Sequence, residues 1–319
     1  MAQLERKRLA NDPNVEEMAR TVAEGINYAG IKDVLLVLGP VRSATTAMLR
    51  MGVASGLPGF YQPIKAIHRR KSEGQSSGQL NLLDEAKRMI GEYDGLRNSG
   101  PDELIIKETV GLRKSTESTM PYFEIHRDLA RNAGTNLRVL LTARHPASAY
   151  ASCARTYGEA INDKGLLDYL FILSQLSFYQ QVEQVQRSGL EQVFVAHGLL
   201  DTSGKQRGDT EVLAKKIFGQ LGMQIAEDAP PLTYNWSSLT PGEAYKYALS
   251  GINFPQEPGM KELNERAHMR VMRSTCLGIG PEDVNGATLE IEGYESECVE
   301  ISRLYNNFYQ ESSRQLGFS

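Results

Sequence analysis

Short apolar runs alternate along this chain with longer segments in which apolar residues recur every three or four positions. The runs have the length of buried parallel strands, and the longer segments have the period of amphipathic helices. The predicted strands are 34–38, 104–109, 136–144 and 192–197. The principal predicted helices are 14–30, 82–93, 121–133, 166–187, 210–221 and 294–316. This alternation predicts a three-layer α/β fold, in which a short parallel sheet is flanked by helices.

No internal repeat and no clear linker interrupts the alternation, so we predict a single domain over residues 1–319. Within it we expect an N-terminal helix over 14–30, a core over 33–225 and a C-terminal helical and loop extension over 226–319. The 41% of hydrophobic and 23% of charged residues are ordinary for a globular protein with a sizeable core.

A formal net charge of −4 gives the chain no global basic field. Nucleic acid is therefore not expected as the main partner, and any surface that binds an anion must be local. The three cysteines are widely spaced and form no C-x-x-C motif, which indicates a reducing compartment and no zinc site. Met1–Arg8 is charged, and no apolar run reaches the length of a membrane span. We expect a cytoplasmic protein without a membrane partner.

The clearest chemical signal follows the first apolar run. After 34–38 come a Gly39-Pro40 turn, the hydroxylated segment 43–46 and the apolar spacing of a helix. A strand, a tight turn and a helix N-terminus together direct unpaired backbone N–H groups and the helix dipole at one point. Such an arrangement binds phosphate.

This loop matches part of the Walker A pattern of P-loop proteins, with Gly39 and Thr46 in place. Ala44 stands at the second glycine position and Thr45 at the lysine position. Because that lysine reaches the β- and γ-phosphates of ATP, its absence argues against ATP chemistry. A cation is present earlier in the loop, at Arg42. Since alanine carries a Cβ, we expect a negative φ at Ala44.

A second anion-binding pattern lies at the end of the strand 136–144. Arg144 is followed by His145 and by Pro146 at an early helical position, which suits the missing N–H of proline. Ser152 comes two turns along that helix. A guanidinium fork supported by a hydroxyl is a suitable arrangement for a phosphate.

Both patterns resemble motifs of the sulfotransferases that use 3′-phosphoadenosine 5′-phosphosulfate (PAPS). The loop resembles their P-[KR]-S-G-T-[ST] motif, with Val41 in place of proline and Ala44 in place of glycine. Arg144 and Ser152 have the spacing of the R-[DN]-P-x-x-x-x-x-S motif, with Pro146 also matched. The resemblance covers roughly 33–225 and implies a P-loop fold. It also implies transfer of a sulfuryl group from PAPS to a hydroxyl or amine of a small-molecule acceptor, with no metal required.

The resemblance also assigns roles. The residues expected to hold the 5′-phosphosulfate are Arg42, Ser43, Ala44, Thr45 and Thr46. Arg144 and Ser152 are expected to hold the 3′-phosphate. Arg273 is a counterpart of the family's late basic loop at that phosphate.

The family has a catalytic Lys-x-His motif at a strand end, and only the lysine of this motif is present here. Lys107 matches the lysine near the transferring group, but Thr109 stands at the position of the histidine base. Glu108 is the best replacement base, because a partly buried carboxylate with a raised pKa can accept a proton. No acidic residue occupies 61–71, where related enzymes have a catalytic glutamate, and His68 in that basic segment is the fallback base.

Two other functions stay open. A P-loop kinase for a small molecule would need the missing lysine and Mg²⁺ ligands. A non-catalytic nucleotide-binding protein of the same fold is consistent with the missing histidine. A homodimer is also left open.

Overall fold

The computed structural model describes residues 13–54, 57–72, 74, 80–92, 102–112, 114–200, 207–223 and 287–318. Within these ranges the elements are, in chain order, α1 (Pro13–Ala23), β1 (Ile26–Asn27), β2 (Asp33–Pro40), α2 (Thr45–Ala54), β3 (Gly59–Tyr61), α3 (Pro63–Ser72), β4 (Leu80–Asn81), α4 (Leu82–Glu92), β5 (Glu103–Val110), α5 (Ser115–Thr119), α6 (Tyr122–Ala133), β6 (Asn136–Ala143), α7 (Pro146–Ile161), α8 (Lys164–Ser188), β7 (Gln192–Ala196), a 3₁₀ turn (His197–Leu200), α9 (Arg207–Gln220) and α10 (Glu295–Leu316). The four strands predicted from apolar runs are confirmed as β2, β5, β6 and β7.

The main sheet has the strand order β3-β5-β2-β6-β7, and every neighbouring pair is parallel. β2 lies at its centre and is buried from Val34 to Pro40, as its unbroken apolar run requires.

Helices cover both faces of this sheet. On one face, α2 packs so closely that a Cβ at Gly52 would lie 2.4 Å from Cδ1 of Ile105. On the other face, His126 of α6 lies next to Glu108. Because side chains alternate along a strand, residues 105 and 108 point to opposite faces. The predicted three-layer α/β architecture is confirmed.

The C-terminal helix α10 covers the edge of the sheet at β7. The Ser312 hydroxyl accepts a hydrogen bond from the Ala196 N–H at 2.9 Å and donates one to the Phe194 carbonyl at 2.8 Å. The Gln315 side chain accepts from the Phe194 N–H at 2.9 Å. These side chains take the place of a further strand, which protects an otherwise open edge.

The N-terminal helix is shorter than predicted. It ends at Ala23, and Ile26–Asn27 instead pairs in parallel with Leu80–Asn81 in a separate two-stranded sheet. Gly25 donates its N–H to the Val22 carbonyl at 3.0 Å, which closes the helix. The pairing is non-local, so the helical periodicity of the segment could not reveal it.

A turn-rich passage of the sequence contains the strand β3. Residues 59–61 pair with 105–107 at the edge of the main sheet, with Tyr61 beside Lys107. The Gln62 N–H then donates to the Lys107 carbonyl at 2.7 Å. The glycines and prolines around this segment indicate turns, but the neighbouring strand supplies the backbone partners that make it a strand.

The longest of the described helices, α8, begins at Lys164. The carboxylate of the preceding Asp163 accepts from the Leu166 N–H at 3.0 Å and caps the first turn. Its buried positions include the polar residues Gln175 and Gln181 as well as aromatic ones.

In the described part of the chain, no helix combines the length and apolarity needed to cross a membrane.

Candidate functional site

The site lies where the connections of the sheet diverge. From the central strand β2 the chain passes to β3 and β5 on one side, and then to β6 and β7 on the other. Ligands of open α/β sheets bind at such a switch point, beyond the carboxyl ends of the strands. Here those ends carry the loop 41–44, the segment after Val110 and Arg144.

The loop between β2 and α2 has an alternating backbone. Arg42 and Ala44 have φ values of 68° and 70°, whereas Val41, Ser43 and Thr45 are not in the positive-φ region. Alternation of right- and left-handed residues directs successive N–H groups into one concavity, a nest that binds anions. The loop therefore has the backbone shape of an anion site.

The expected negative φ at Ala44 is wrong. The residue is left-handed, and its carbonyl accepts from the Met48 N–H at 3.2 Å to start α2. The loop adopts the conformation that glycine favours at the matching Walker A position even though alanine stands there. A non-glycine residue in this conformation costs roughly 1–2 kcal/mol.

Two loop hydroxyls hold the loop to the sheet. Ser43 Oγ donates to the Pro40 carbonyl at 2.6 Å and lies 2.9 Å from Oγ1 of Thr142. Thr45 Oγ1 lies 3.3 Å from Oγ1 of Thr109. These contacts leave backbone N–H groups, the Arg42 guanidinium and the half-buried Thr46 as the groups that the loop offers to a ligand.

A glycine makes these contacts possible. A Cβ at Gly39 would lie 2.3 Å from the Thr142 hydroxyl and 2.5 Å from that of Ser43. Glycine at position 39 therefore has a packing reason in addition to its place in the Walker A pattern.

The structure brings the two predicted anion sites together. Arg42 Nε donates to Oγ of Ser152 on α7 at 2.9 Å. The neighbouring Cys153 is buried, which raises the pKa of its thiol to about 12, and the charges of both Arg42 and Arg144 oppose that rise. Both guanidinium charges therefore act on the same residue of α7.

Arg144 is half-buried and comes directly after β6. His145 precedes the first helical residue of α7, and Pro146 occupies that first position as predicted. Ser152 is 3% exposed. Arg273 lies outside the described residues, so its predicted contact with the 3′-phosphate stays a prediction.

Lys107 lies on the loop side of the sheet. Its neighbours at alternate positions, Ile105 and Thr109, contact Gly52 and Thr45 of α2, so Lys107 faces the same helix. The side chain is 2% exposed, and its ammonium lies 3.9 Å from the centre of the Tyr61 ring. Burial is the main cause that lowers the pKa of Lys107 from 10.5 to about 7; Glu108 opposes this shift and Arg69 adds to it.

Glu108 points to the opposite face and is fully buried. Its Oε1 accepts from the Ile64 N–H at 2.7 Å and lies 3.7 Å from Nε2 of His126. The other ring nitrogen of His126, Nδ1, is hydrogen-bonded to the Tyr28 hydroxyl. The structure thus places the predicted base in a buried network with α3 and α6, on the face away from Thr45.

A polar cluster connects α3 to α5. Glu117 forms a bidentate ion pair with Arg69, at 2.6 and 3.0 Å, and lies 3.9 Å from Lys65. His68 Nε2 lies 3.1 Å from the Thr116 hydroxyl. Burial lowers the pKa of Lys65 to about 8 and also lowers that of His68, so neutral imidazole is favoured at His68.

Sequence reasoning missed Glu117. Its short helix has no apolar period, and nothing local distinguishes this glutamate from an exposed one. The four-residue spacing of Lys65 and Arg69 does predict that the two cations share one helix face. The carboxylate that they meet is decided only by the packing of α5.

Comparison with known proteins gives a distant structural likeness. No family model matches the chain, and no curated protein sequence matches it. Among solved structures, it is similar to the sulfotransferase domain from the Synechococcus PCC 7002 olefin synthase. The two are 14% identical with a TM-score of 0.45, over 87% of this chain and 96% of that one. A likeness at this level of similarity identifies neither the fold nor the reaction of this chain.

Proposed function

We propose that the chain transfers a sulfuryl group from PAPS to a hydroxyl or amine of a small-molecule acceptor. PAPS carries anionic groups at both its 5′ and 3′ positions and supplies the sulfuryl group. The chain offers two anion sites of different construction. One is a backbone nest with Arg42, and the other is the Arg144–Ser152 pair on β6 and α7.

The observation that carries this proposal is the 2.9 Å hydrogen bond between Arg42 and Ser152. Two anion sites that faced separate cavities could not hold the two ends of one nucleotide. Here a loop cation and a residue of the second site touch, and Arg144 stands two residues before the first residue of α7, the helix that carries Ser152. This closeness supports a single ligand with two anionic ends.

The proposed roles follow from charge. Arg42 and the loop N–H groups of residues 43–46 bind the 5′-phosphosulfate and stabilise the negative charge that develops on the leaving oxygen. Lys107, on the same side of the sheet, stabilises the transferring group. Arg144 and Ser152 bind the 3′-phosphate. Thr45 stands at the position of the Walker A lysine, so ATP chemistry is the less favoured function.

Two residues compete for the role of base. Glu108 is the choice from the sequence, but its carboxylate faces α6 and accepts from Ile64. His68 is the fallback, and its lowered pKa favours the neutral ring that a base requires. The acceptor gives its hydroxyl or amine proton to one of them as the new bond to sulfur forms.

Calorimetric titration tests the proposal. We expect adenosine 3′,5′-bisphosphate to bind at least tenfold more tightly than ATP with Mg²⁺. Arg144→Ala should lower the affinity for the bisphosphate by on the order of tenfold or more, because it removes a charge-assisted contact. Arg131→Ala, which removes an exposed arginine of α6, is the control and should change nothing. Tighter binding of ATP would reject sulfuryl transfer in favour of a kinase.

A non-catalytic nucleotide-binding protein is the second candidate, favoured by Thr109 at the histidine position and by the inward-facing Glu108. The two functions differ in turnover. A catalyst converts PAPS to the bisphosphate in the presence of simple phenols, alcohols or amines. A binding protein retains the bisphosphate affinity and forms no product with any of them.

A further inference from the structure

Tyr61 and Lys107 form a matched pair on adjacent strands. They are register partners in the parallel pairing of β3 with β5, so their side chains leave the sheet on the same face. The Gln62 N–H donates to the Lys107 carbonyl at 2.7 Å and holds the two strands together at this point. The ring lies under the ammonium, 3.9 Å from nitrogen to ring centre.

The ring is an unusual partner for a buried cation. Among the described residues, no carboxylate lies within the 4.0 Å limit of an ion pair with the Lys107 ammonium. Glu108, the carboxylate whose charge acts on Lys107, points to the opposite face of the sheet, and Glu117 on α5 is engaged by Arg69 and Lys65. The aromatic face therefore provides the main described contact of this charge.

The choice of partner has a chemical consequence. A carboxylate would neutralise the ammonium and compete with any anion that approaches it. The face of an aromatic ring attracts a cation through its quadrupole and leaves the positive charge in place. A lysine held in this way is fixed in position but still available to a negatively charged group.

We propose that Tyr61 is a positioning residue, whose ring holds the Lys107 ammonium ready for the sulfuryl group of the donor. The inference rests on the function proposed above. It assigns no proton transfer to the phenol, because the contact is made through the ring face. Phenylalanine should therefore replace tyrosine, whereas an aliphatic residue should not.

Affinities for PAPS and for adenosine 3′,5′-bisphosphate separate this role from a structural one, since only PAPS carries the sulfuryl group. In competition titrations, we expect Tyr61→Phe to bind both within about twofold of the original protein. Tyr61→Leu should lower the affinity for PAPS by roughly 3- to 30-fold, the range of a cation–π contact. It should leave the affinity for the bisphosphate within twofold. In the Lys107→Met background, Tyr61→Leu should add no further loss for PAPS.

Three results would overturn the inference. The first is an equal loss of PAPS affinity in Tyr61→Phe and Tyr61→Leu. The second is an equal loss of affinity for PAPS and for the bisphosphate in Tyr61→Leu. The third is a full additional loss of PAPS affinity when Tyr61→Leu is added to Lys107→Met. If Tyr61→Leu does not fold, Tyr61→Met replaces it with an unbranched side chain of similar reach. Failure of the original protein to bind the bisphosphate would instead count against the proposed function, so the two failures are distinguishable.

Discussion

The side chains of Arg42 and Ser152, 110 positions apart in sequence, are joined by a hydrogen bond of 2.9 Å from Nε to Oγ. The contact connects the loop after β2 to the second turn of α7. It places the cation of one anion-binding motif against the hydroxyl of the other. The proposed recognition of a doubly anionic adenosine nucleotide depends on this relationship.

The first prediction concerns this pair. Arg42→Ala should weaken the binding of adenosine 3′,5′-bisphosphate by on the order of 100-fold, because it removes a cation that serves both anion sites. Ser152→Ala should weaken this binding by roughly tenfold, the effect of one hydrogen bond to a charged group. Ser148→Ala, one turn earlier on α7, is the matched control and should stay within twofold. Calorimetry measures all three, and an unchanged affinity in Arg42→Ala would remove the loop from the nucleotide site.

Ala44 provides a test of the loop conformation. Because its φ is 70°, Ala44→Gly should relieve left-handed strain and raise the free energy of unfolding by about 1 kcal/mol. Gly134→Ala is the reverse experiment. That glycine also has a positive φ, 69°, with no atom within 4 Å of an added Cβ, so only backbone strain should matter and stability should fall by a similar amount. Urea denaturation measures both. A loss of stability in Ala44→Gly would contradict the left-handed loop.

The base is tested with two variants that keep hydrogen-bonding capacity. In Glu108→Gln the side-chain oxygen can still accept from the Ile64 N–H, and His68→Asn retains a polar group toward Thr116. Loss of a general base lowers turnover by roughly 10²–10⁴-fold while donor affinity stays intact. Glu108 is the base expected from the sequence and His68 is its alternative, and we expect only one of the two variants to show this loss. The same loss in Glu108→Gln alone would assign the role to Glu108.

Lys107 makes stability depend on pH. Burial lowers its pKa from the ordinary value of 10.5 to about 7 in the folded protein. Between these values the unfolded chain binds more protons than the folded one, so the free energy of unfolding should rise with pH through this window. At pH 7 and below, folding must bury the charge. Lys65, with a pKa of about 8, acts in the same direction.

Lys107→Met should therefore be more stable than the original protein at pH 7, by roughly 1–3 kcal/mol. The advantage should shrink as the pH rises from 7 toward 10.5, because the folded chain then holds Lys107 neutral and the cost of deprotonating this lysine on folding falls. Urea denaturation at pH 6, 7, 8.5 and 10 measures the difference between the two proteins. An advantage that does not change with pH would show that Lys107 is not the titrating group.

Much of the layered fold could be predicted from periodicity. Apolar runs of five or six residues mark strands such as β2 because both faces of a parallel sheet are buried. The positions of Arg42, Arg144 and Ser152 at the ends of strands and along one helix followed from the same pattern. Gly39-Pro40 and Pro146 marked the turns, since their backbone constraints act locally.

What periodicity could not reveal depends on partners distant in the chain. β3 is a strand because β5 supplies its hydrogen bonds, and α1 ends early because Ile26 and Asn27 pair with residues near 80. The left-handed Ala44 is held in a loop whose neighbours Ser43 and Thr45 bond to Thr142 and Thr109. None of these partners is adjacent in sequence.

The sequence by itself determined which residues carry charge and hydroxyl groups, and at which strand ends they stand. Only the tertiary structure decided that Arg42 touches Ser152, that Glu108 meets Ile64 and His126 and that Tyr61 lies against Lys107. The physical reason is that strand order and register, which are set by packing across the whole core, determine which side chains meet. Local propensity acts over a few residues and carries no information about that order.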